Sequence, residues 1–145
     1  MQIEIRHLGV IEKASINLRP LTVFIGENGT GKTWTAYTLE AIFGAYGHEQ
    51  YLKAYLNRKT QQTYPPLDKA STQLLKEGYT QFEIIPFVSD YLEIYLNEVA
   101  RLAPSWMQAR MNTKRVSFEK LQVQIELADD MKSTLANKLL SVFLS

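Results

Sequence analysis

The chain has no cysteine, almost no net charge and no long apolar run. Without cysteine, neither a disulfide nor a thiolate metal site can form. Its 16 basic and 15 acidic residues leave a net charge of +1, so bulk charge gives no argument for a nucleic-acid or anionic-membrane partner. No apolar stretch approaches the roughly 20 residues that a membrane-spanning helix needs, and the start, MQIEIRHLGV, does not resemble a signal peptide. We therefore expect a cytoplasmic protein without a membrane partner.

The length and composition indicate one globular domain. The 145 residues, of which 46% are hydrophobic, can bury an ordinary core. We expect a single P-loop NTPase domain over residues 1–145 that is incomplete. Residues 1–47 would hold strands, the P-loop and a first helix, and residues 48–145 a mostly helical remainder with a late strand.

The first 25 residues predict three short strands. Ile3 and Ile5 alternate with polar residues, and the alternation returns from Ala14 to Leu18, which is typical of strands with one solvated face. The stretch Leu21–Ile25, LTVFI, is continuously apolar, which is typical of burial on both faces. We therefore predict that this third strand is the central one.

The rest of the chain predicts helices and one further strand. We expect a buried helix over 32–43 closed by Gly44, a helix within 48–63, one over 67–77 ended by Gly78, and an amphipathic helix over 88–102. Residues 81–85 fit a strand or a helix start, and we favour a strand. Residues 121–127 alternate strictly and predict a strand. A last helix, 130–144, presents Met131, Leu135, Leu139, Val142 and Phe143. The order is mixed α/β.

The string GENGTGKT, Gly26–Thr33, fits the phosphate-binding pattern G-x-x-x-x-G-K-[ST], the Walker A motif. A helix N-terminus offers free backbone N–H groups and the positive end of its dipole to phosphates. The three glycines permit positive φ and a close approach of the backbone, while Lys32 can reach phosphate oxygens and the Thr33 hydroxyl can ligate Mg²⁺. The predicted nucleotide-binding residues are Gly26, Glu27, Asn28, Gly29, Thr30, Gly31, Lys32 and Thr33, with Thr33 as the metal ligand.

The loop alone cannot complete hydrolysis, because hydrolysis also needs an acidic group that holds Mg²⁺ and a group that orients water. No run of four apolar residues ends in Asp or Asp-Glu. The nearest candidates are Asp129 and Asp130, for which we favour helix capping over metal binding. Glu27 is a remote alternative. The catalytic residue is therefore unknown at this point.

Residues 3–33, IEIRHLGVIEKASINLRPLTVFIGENGTGKT, resemble the amino-terminal segment of ABC-type ATPases of the SMC, RecF and OLD (overcoming-lysogenization-defect) group, especially bacterial AAA-family ATP-binding proteins of the OLD type. The matching features are a first strand that ends in His7, Leu8 and Gly9, a second strand with KASINL, and the segment LTVFIGENGTGKT. The resemblance covers about residues 1–44.

The resemblance implies an amino-terminal ABC-type ATPase lobe that binds ATP and Mg²⁺, with Gly26, Asn28, Gly29, Gly31, Lys32 and Thr33 as nucleotide-binding residues. It also implies dimers that sandwich nucleotide, or a companion nuclease or effector, and roles in DNA repair, DNA maintenance or phage defence. The chain lacks an LSGG-type signature, an acidic hhhhDE strand and a switch histidine. We therefore expect the amino-terminal part of a longer ATP hydrolase, which binds ATP but does not hydrolyse it efficiently alone. Trp34, where a small hydroxyl residue is commoner, is expected to pack beneath the site.

Other functions compete with this interpretation. A GTPase would need an Asn-Lys-x-Asp motif, and the NKLL at Asn137 lacks the Asp. A small-molecule P-loop kinase would need lid arginines, for which Arg101, Arg110 and Arg115 are available. Residues 105–115 could contact nucleic acid, although we favour a packed helix end. A non-catalytic ATP-binding module remains an alternative. We expect His7 and His48 not to bind metal, and Tyr51, Tyr55, Tyr91 and Tyr95 to be core or interface residues.

Overall fold

A computed structural model describes residues 1–144, with side chains for 1–135, 137 and 138. Three antiparallel strands and five helices make a mixed α/β fold. In chain order they are β1 (Gln2–Leu8), β2 (Ile11–Asn17), α1 (Lys32–Phe43), α2 (Ala45–Leu56), α3 (Pro65–Glu77), α4 (Ile84–Met111), β3 (Gln122–Glu126) and α5 (Asp129–Leu144). In this described part of the chain, no helix combines the length and apolar character needed to cross a bilayer.

The sheet has the order β2-β1-β3, and β1 is its central strand. Ile3 lies opposite Ile16 on β2 and Ile125 on β3. Because side chains alternate along a strand, one face of the sheet is apolar and the other polar. The predicted late strand with one solvated face is confirmed, and it pairs with the first strand of the chain. The chain between β1 and β3 therefore returns to the same sheet.

The apolar face of the sheet belongs to a core that also contains the inner side of the long helix α4. On this helix, Val99, Ala103 and Met107 are almost fully buried. Asn97 ties α4 to the edge strand, since its Nδ2 donates to the Ile125 carbonyl at 2.7 Å and its Oδ1 accepts from the Ile125 N–H at 2.9 Å. The amphipathic helix predicted over 88–102 is confirmed and extends further at both ends.

The predicted third strand is wrong. Leu21, Val23 and Ile25 are 82%, 69% and 88% exposed, and the segment forms no backbone–backbone hydrogen bond. Both positions beside the central strand β1 are taken by β2 and β3. Within residues 1–144 the outer sides of β2 and β3 pair with no strand, so the segment lacks the paired neighbours that would bury a strand on both faces.

The strand favoured for 81–85 is also wrong, because Ile84 and Ile85 begin α4. Pro86 lies in the first turn of that helix, where the missing N–H breaks no helical bond. By contrast, the α1 bounds and the helix ended by Gly78 are confirmed, and α2 and α5 correspond to the helices expected within 48–63 and over 130–144. The expectations for the side chains of Leu139, Val142 and Phe143 lie outside the described residues.

Candidate functional site

The GENGTGKT loop leads directly into the N-terminus of α1. Gly31 is the N-cap residue, and no side chain caps the helix. The first helical hydrogen bond joins the Thr35 N–H to the Gly31 carbonyl at 2.9 Å, so the N–H groups of residues 32–34 have no helical partner. The first turn also contains no acidic residue. The positive end of the α1 dipole is therefore not compensated by a residue of the first turn.

The loop glycines adopt the backbone geometry that the motif predicts. Gly26, Gly29 and Gly31 have φ values of 149°, 81° and 89°. A Cβ on Gly31 would lie 2.7 Å from Cδ1 of Ile11, whereas one on Gly29 would meet nothing within 4 Å. The loop thus packs closely against the turn between β1 and β2 at its α1 end and is open at its middle.

The Lys32 ammonium lies across the loop. Its Nζ donates to the Gly26 carbonyl at 2.8 Å, to the Glu27 carbonyl at 2.5 Å and to Thr30 Oγ1 at 3.3 Å. A phosphate group in the loop would compete with these neutral acceptors for the ammonium. Phosphate carries a full negative charge whereas the present acceptors are neutral, so Coulomb attraction to the ammonium favours phosphate in this exchange.

A cavity of about 920 Å³ lies over the loop. Ligand sites typically span about 300–1,000 Å³, so the cavity is large enough for a nucleotide. Three parts of the chain line it: residues 28–34 of the loop and α1, residues 7 and 9–12 at the tip of the β1–β2 hairpin, and residues 115–117, 119 and 120 of the connection between α4 and β3. Thr33, the predicted metal ligand, is exposed in this lining. Gly26 and Glu27 do not line the cavity and contribute backbone carbonyls that hold Lys32.

The sequence analysis missed the β1–β2 hairpin as part of the site, and of the connection it named only Arg115, as a lid arginine of the alternative kinase. Strand register explains why they meet, since Arg6 at the end of β1 lies opposite Gln122 at the start of β3. The chain after Arg6 and the chain before Gln122 therefore lie at the same end of the sheet. A run of basic residues, Lys114 and Arg115, is the sequence signal that could have drawn attention to the connection.

The structure separates the three arginines proposed for a kinase lid. Arg101 pairs with Glu98 at 2.8 Å, and Arg110 pairs with Glu40 at 3.2 Å while its guanidinium lies over the Tyr46 ring. Neither lines the cavity. Arg115 alone of the three does so.

Trp34 and Trp106 have structural neighbours. Trp34 packs edge-on against Phe118 with ring centroids 6.2 Å apart, which agrees with the expected packing role. Trp106 is buried and packs against Tyr46 at 5.4 Å. Because its ring is buried, Trp106 is not available to stack on a base, and the packed helix end favoured for this stretch is confirmed.

The acidic candidates lie elsewhere. Asp130 Oδ1 accepts from the Met131 N–H at 2.9 Å, and Asp129 lies 3.7 Å from the Lys132 ammonium. Both aspartates are in the first turn of α5, and neither lines the cavity. The described residues contain no group of three or more His, Cys, Asp or Glu side chains that could together hold a metal ion. The carboxylates that do line the cavity are Glu12 and Glu119.

The predicted core role of the tyrosines is supported by their burial, since Tyr51 is buried and Tyr55, Tyr91 and Tyr95 are partly buried and pack against the core. A smaller cavity of about 200 Å³ lies between α2, α3 and α4. The Tyr51 hydroxyl donates to the Tyr64 hydroxyl at 2.7 Å. Burial, together with this hydroxyl contact, raises the pKa of Tyr51 above its ordinary range. His48 Nδ1 lies 2.7 Å from the Tyr95 hydroxyl, so this histidine is engaged by an aromatic cluster.

Comparison of the chain with family models, with curated proteins and with solved structures gives no match. The functional argument therefore depends on the motif, the uncapped helix and the cavity. These three features coincide at one place, which is the loop ahead of α1.

Proposed function

We propose that this chain binds ATP with Mg²⁺ in the cavity over the GENGTGKT loop. One observation carries the proposal: a helix start with unpaired N–H groups, no capping side chain and no acidic residue opens into a cavity lined by Lys32. Phosphate is the ligand that such a helix terminus favours. Micromolar binding needs about 8 kcal/mol, which a few charge-assisted hydrogen bonds of about 1.5–3 kcal/mol each can supply.

The residues in the cavity fit the metal as well as the nucleotide. Thr33 follows Lys32 at the start of α1, and its exposed hydroxyl is an oxygen donor of the kind that Mg²⁺ prefers. When bound, Mg²⁺ neutralises charge on the phosphate oxygens. Lys32 and the N–H groups of the helix start would orient those oxygens.

We further propose, from the resemblance described above, that the chain is the amino-terminal part of an ABC-type ATPase of the SMC, RecF and OLD group. A parent of this kind would act in DNA repair, DNA maintenance or phage defence, through self-association or with a companion nuclease or effector. We expect negligible ATP hydrolysis by these 145 residues, since no acid of the expected type follows a buried strand. Steady release of phosphate in a turnover assay would contradict this expectation.

A thermal-shift titration tests the binding proposal. At ATP about 100 times its Kd, binding adds about 2.7 kcal/mol to the free energy of unfolding, which corresponds to a rise in Tm of about 5–10 °C. We expect Lys32→Ala to abolish the rise relative to its own ligand-free Tm. Lys69→Ala, an exposed position on α3 far from the cavity lining, is the matched control and should keep it. An unchanged rise in Lys32→Ala would refute the phosphate assignment.

A small-molecule kinase remains the second candidate because Arg115 lines the cavity. Kinases use arginines to stabilise the phosphoryl group in transfer. An ATPase releases phosphate to water, whereas a kinase needs an acceptor. Transfer of labelled phosphate from ATP to a small-molecule acceptor pool would favour the kinase.

A further inference from the structure

The connection between α4 and β3, residues 112–121, is held in place on its inner side. Val116 and Phe118 are buried, and the position of a Gly9 Cβ would lie 3.4 Å from Val116 Cγ2. Phe118 packs edge-on against Trp34 of α1. These contacts attach the connection both to the β1–β2 turn and to the helix that follows the loop, so its outward residues have a defined position beside the cavity.

The outward residues of this connection include two cations, Arg115 and Lys120, and both line the cavity. In the part of the chain with described side chains, neither the Arg115 nor the Lys120 side chain forms an ion pair or a hydrogen bond. Only the backbone N–H of Arg115 donates, to Thr113 Oγ1. This distinguishes them from Arg101 and Arg110, which are paired with glutamates.

The charges around the cavity are unequal. Lys32, Arg115 and Lys120 line the same cavity as Glu12 and Glu119, which leaves an excess of one positive charge before the helix dipole is counted. Lys32 lies on one side and the connection supplies the other two cations. A ligand that pairs with all three cations at once must carry several anionic groups.

We propose that Arg115 and Lys120, on the connection between α4 and β3, bind the phosphate chain of the nucleotide in this cavity. This inference rests on the proposed function and adds two binding residues to it. The Arg115 guanidinium offers a planar fork that matches phosphate oxygens in pairs, and Lys120 offers a point charge. The phosphates would then link α1 to the connection.

The experiment measures Kd by calorimetry for Mg-ATP and for inorganic tripolyphosphate, which has no base or ribose. Arg115→Ala and Lys120→Ala each remove one cation from an exposed side chain. We expect each to weaken both ligands about tenfold, the lower end of the range for a charged hydrogen bond. The salt dependence of binding should also decrease in each variant, because screening acts on the cation that has been removed.

Lys114→Ala is the matched control. Lys114 precedes Arg115, has the same charge and is exposed, but it does not line the cavity. We expect its Kd values to change less than twofold. Because all three side chains are exposed, the Tm of each ligand-free variant should stay close to that of the wild type.

Each outcome has a distinct meaning. Equal Kd values for the wild type, Arg115→Ala and Lys120→Ala overturn this inference and leave the proposed function standing. A loss for ATP without a loss for tripolyphosphate overturns it as well, since the residues would then contact base or ribose. If the wild type binds neither ligand, the proposed function itself fails, and this inference fails with it.

Discussion

Replacing Gly31 by alanine is the sharpest test of how the loop is seated. The residue has a φ of 89°, and an L-residue in left-handed geometry costs about 1–2 kcal/mol. The added Cβ would also lie 2.7 Å and 2.9 Å from Cδ1 and Cγ1 of Ile11. Cδ1 is the end of the half-buried Ile11 side chain, which can move aside, so the contact adds the lower end of the usual overpacking cost, about 1 kcal/mol. We therefore expect Gly31→Ala to lower the free energy of unfolding by about 2–3 kcal/mol.

Gly29→Ala is the matched control, because it has a φ of 81° and no atom within 4 Å of its Cβ position. It should show the backbone cost alone, about 1 kcal/mol. Denaturant unfolding of both variants gives the free energies, and thermal unfolding should separate their Tm values by several degrees.

A double-mutant cycle with Ile11→Ala isolates the contact. Truncating Ile11 removes the two carbons that the new Cβ would meet, so the cost of Gly31→Ala should fall by at least about 1 kcal/mol in that background. The cost of Gly29→Ala should be the same in both backgrounds. Equal costs for the two glycine variants, with no coupling to Ile11, would refute the packing of the loop against the β1–β2 turn.

Two further predictions concern the helix that supports the sheet. Burial raises the pKa of the Glu98 carboxyl, but the hydrogen bonds from Arg101 and from the Gln61 N–H outweigh it and lower the pKa below its ordinary value. The resulting stability is present above the unfolded pKa of about 4.3 and is lost as the pH falls through the folded pKa. Glu98→Gln should therefore show a flatter fall of Tm between about pH 5 and 3 than the wild type, and parallel curves would count against the pair. Asn97→Ala should lower the free energy of unfolding by about 2–3 kcal/mol, because it leaves both backbone groups of Ile125 without their partner. Urea unfolding measures this loss, and a loss below that of an ordinary surface change, about 0.5 kcal/mol, would contradict the prediction.

Local patterns predicted the elements whose causes are local. The helix over 32–43 lies between two glycines, and β3 follows its own alternation, so both are found where they were expected. The segment 21–25 was predicted wrongly because burial of a strand depends on neighbours that its own sequence does not specify. A continuous apolar run therefore predicts a buried strand only if other strands are available to pair with it.

The candidate site divides in the same way. The motif identifies residues 26–33, because their chemistry and spacing are contiguous in the chain. Lys120 was not predicted as part of the site, and Arg115 was named only as a lid arginine of the alternative kinase, since both come close to the loop only through the antiparallel pairing of β1 with β3. That pairing joins parts of the chain more than 100 positions apart.

The exposed segment Leu21–Ile25 has a consequence for the affinity of the loop that follows it. The loop is held by packing at Gly31, yet its other end continues into a segment without backbone hydrogen bonds. Ordering a backbone costs about 1–2 kcal/mol per residue. A ligand that must order the amino-terminal end of the loop therefore binds more weakly by about that amount for each residue it orders. A partner that pairs with the segment would order it before the ligand binds, which would raise the affinity of the loop for its ligand. By reciprocity, the ligand of the proposed function would tighten that pairing by the same factor, so under that proposal this short apolar segment would couple nucleotide affinity to association.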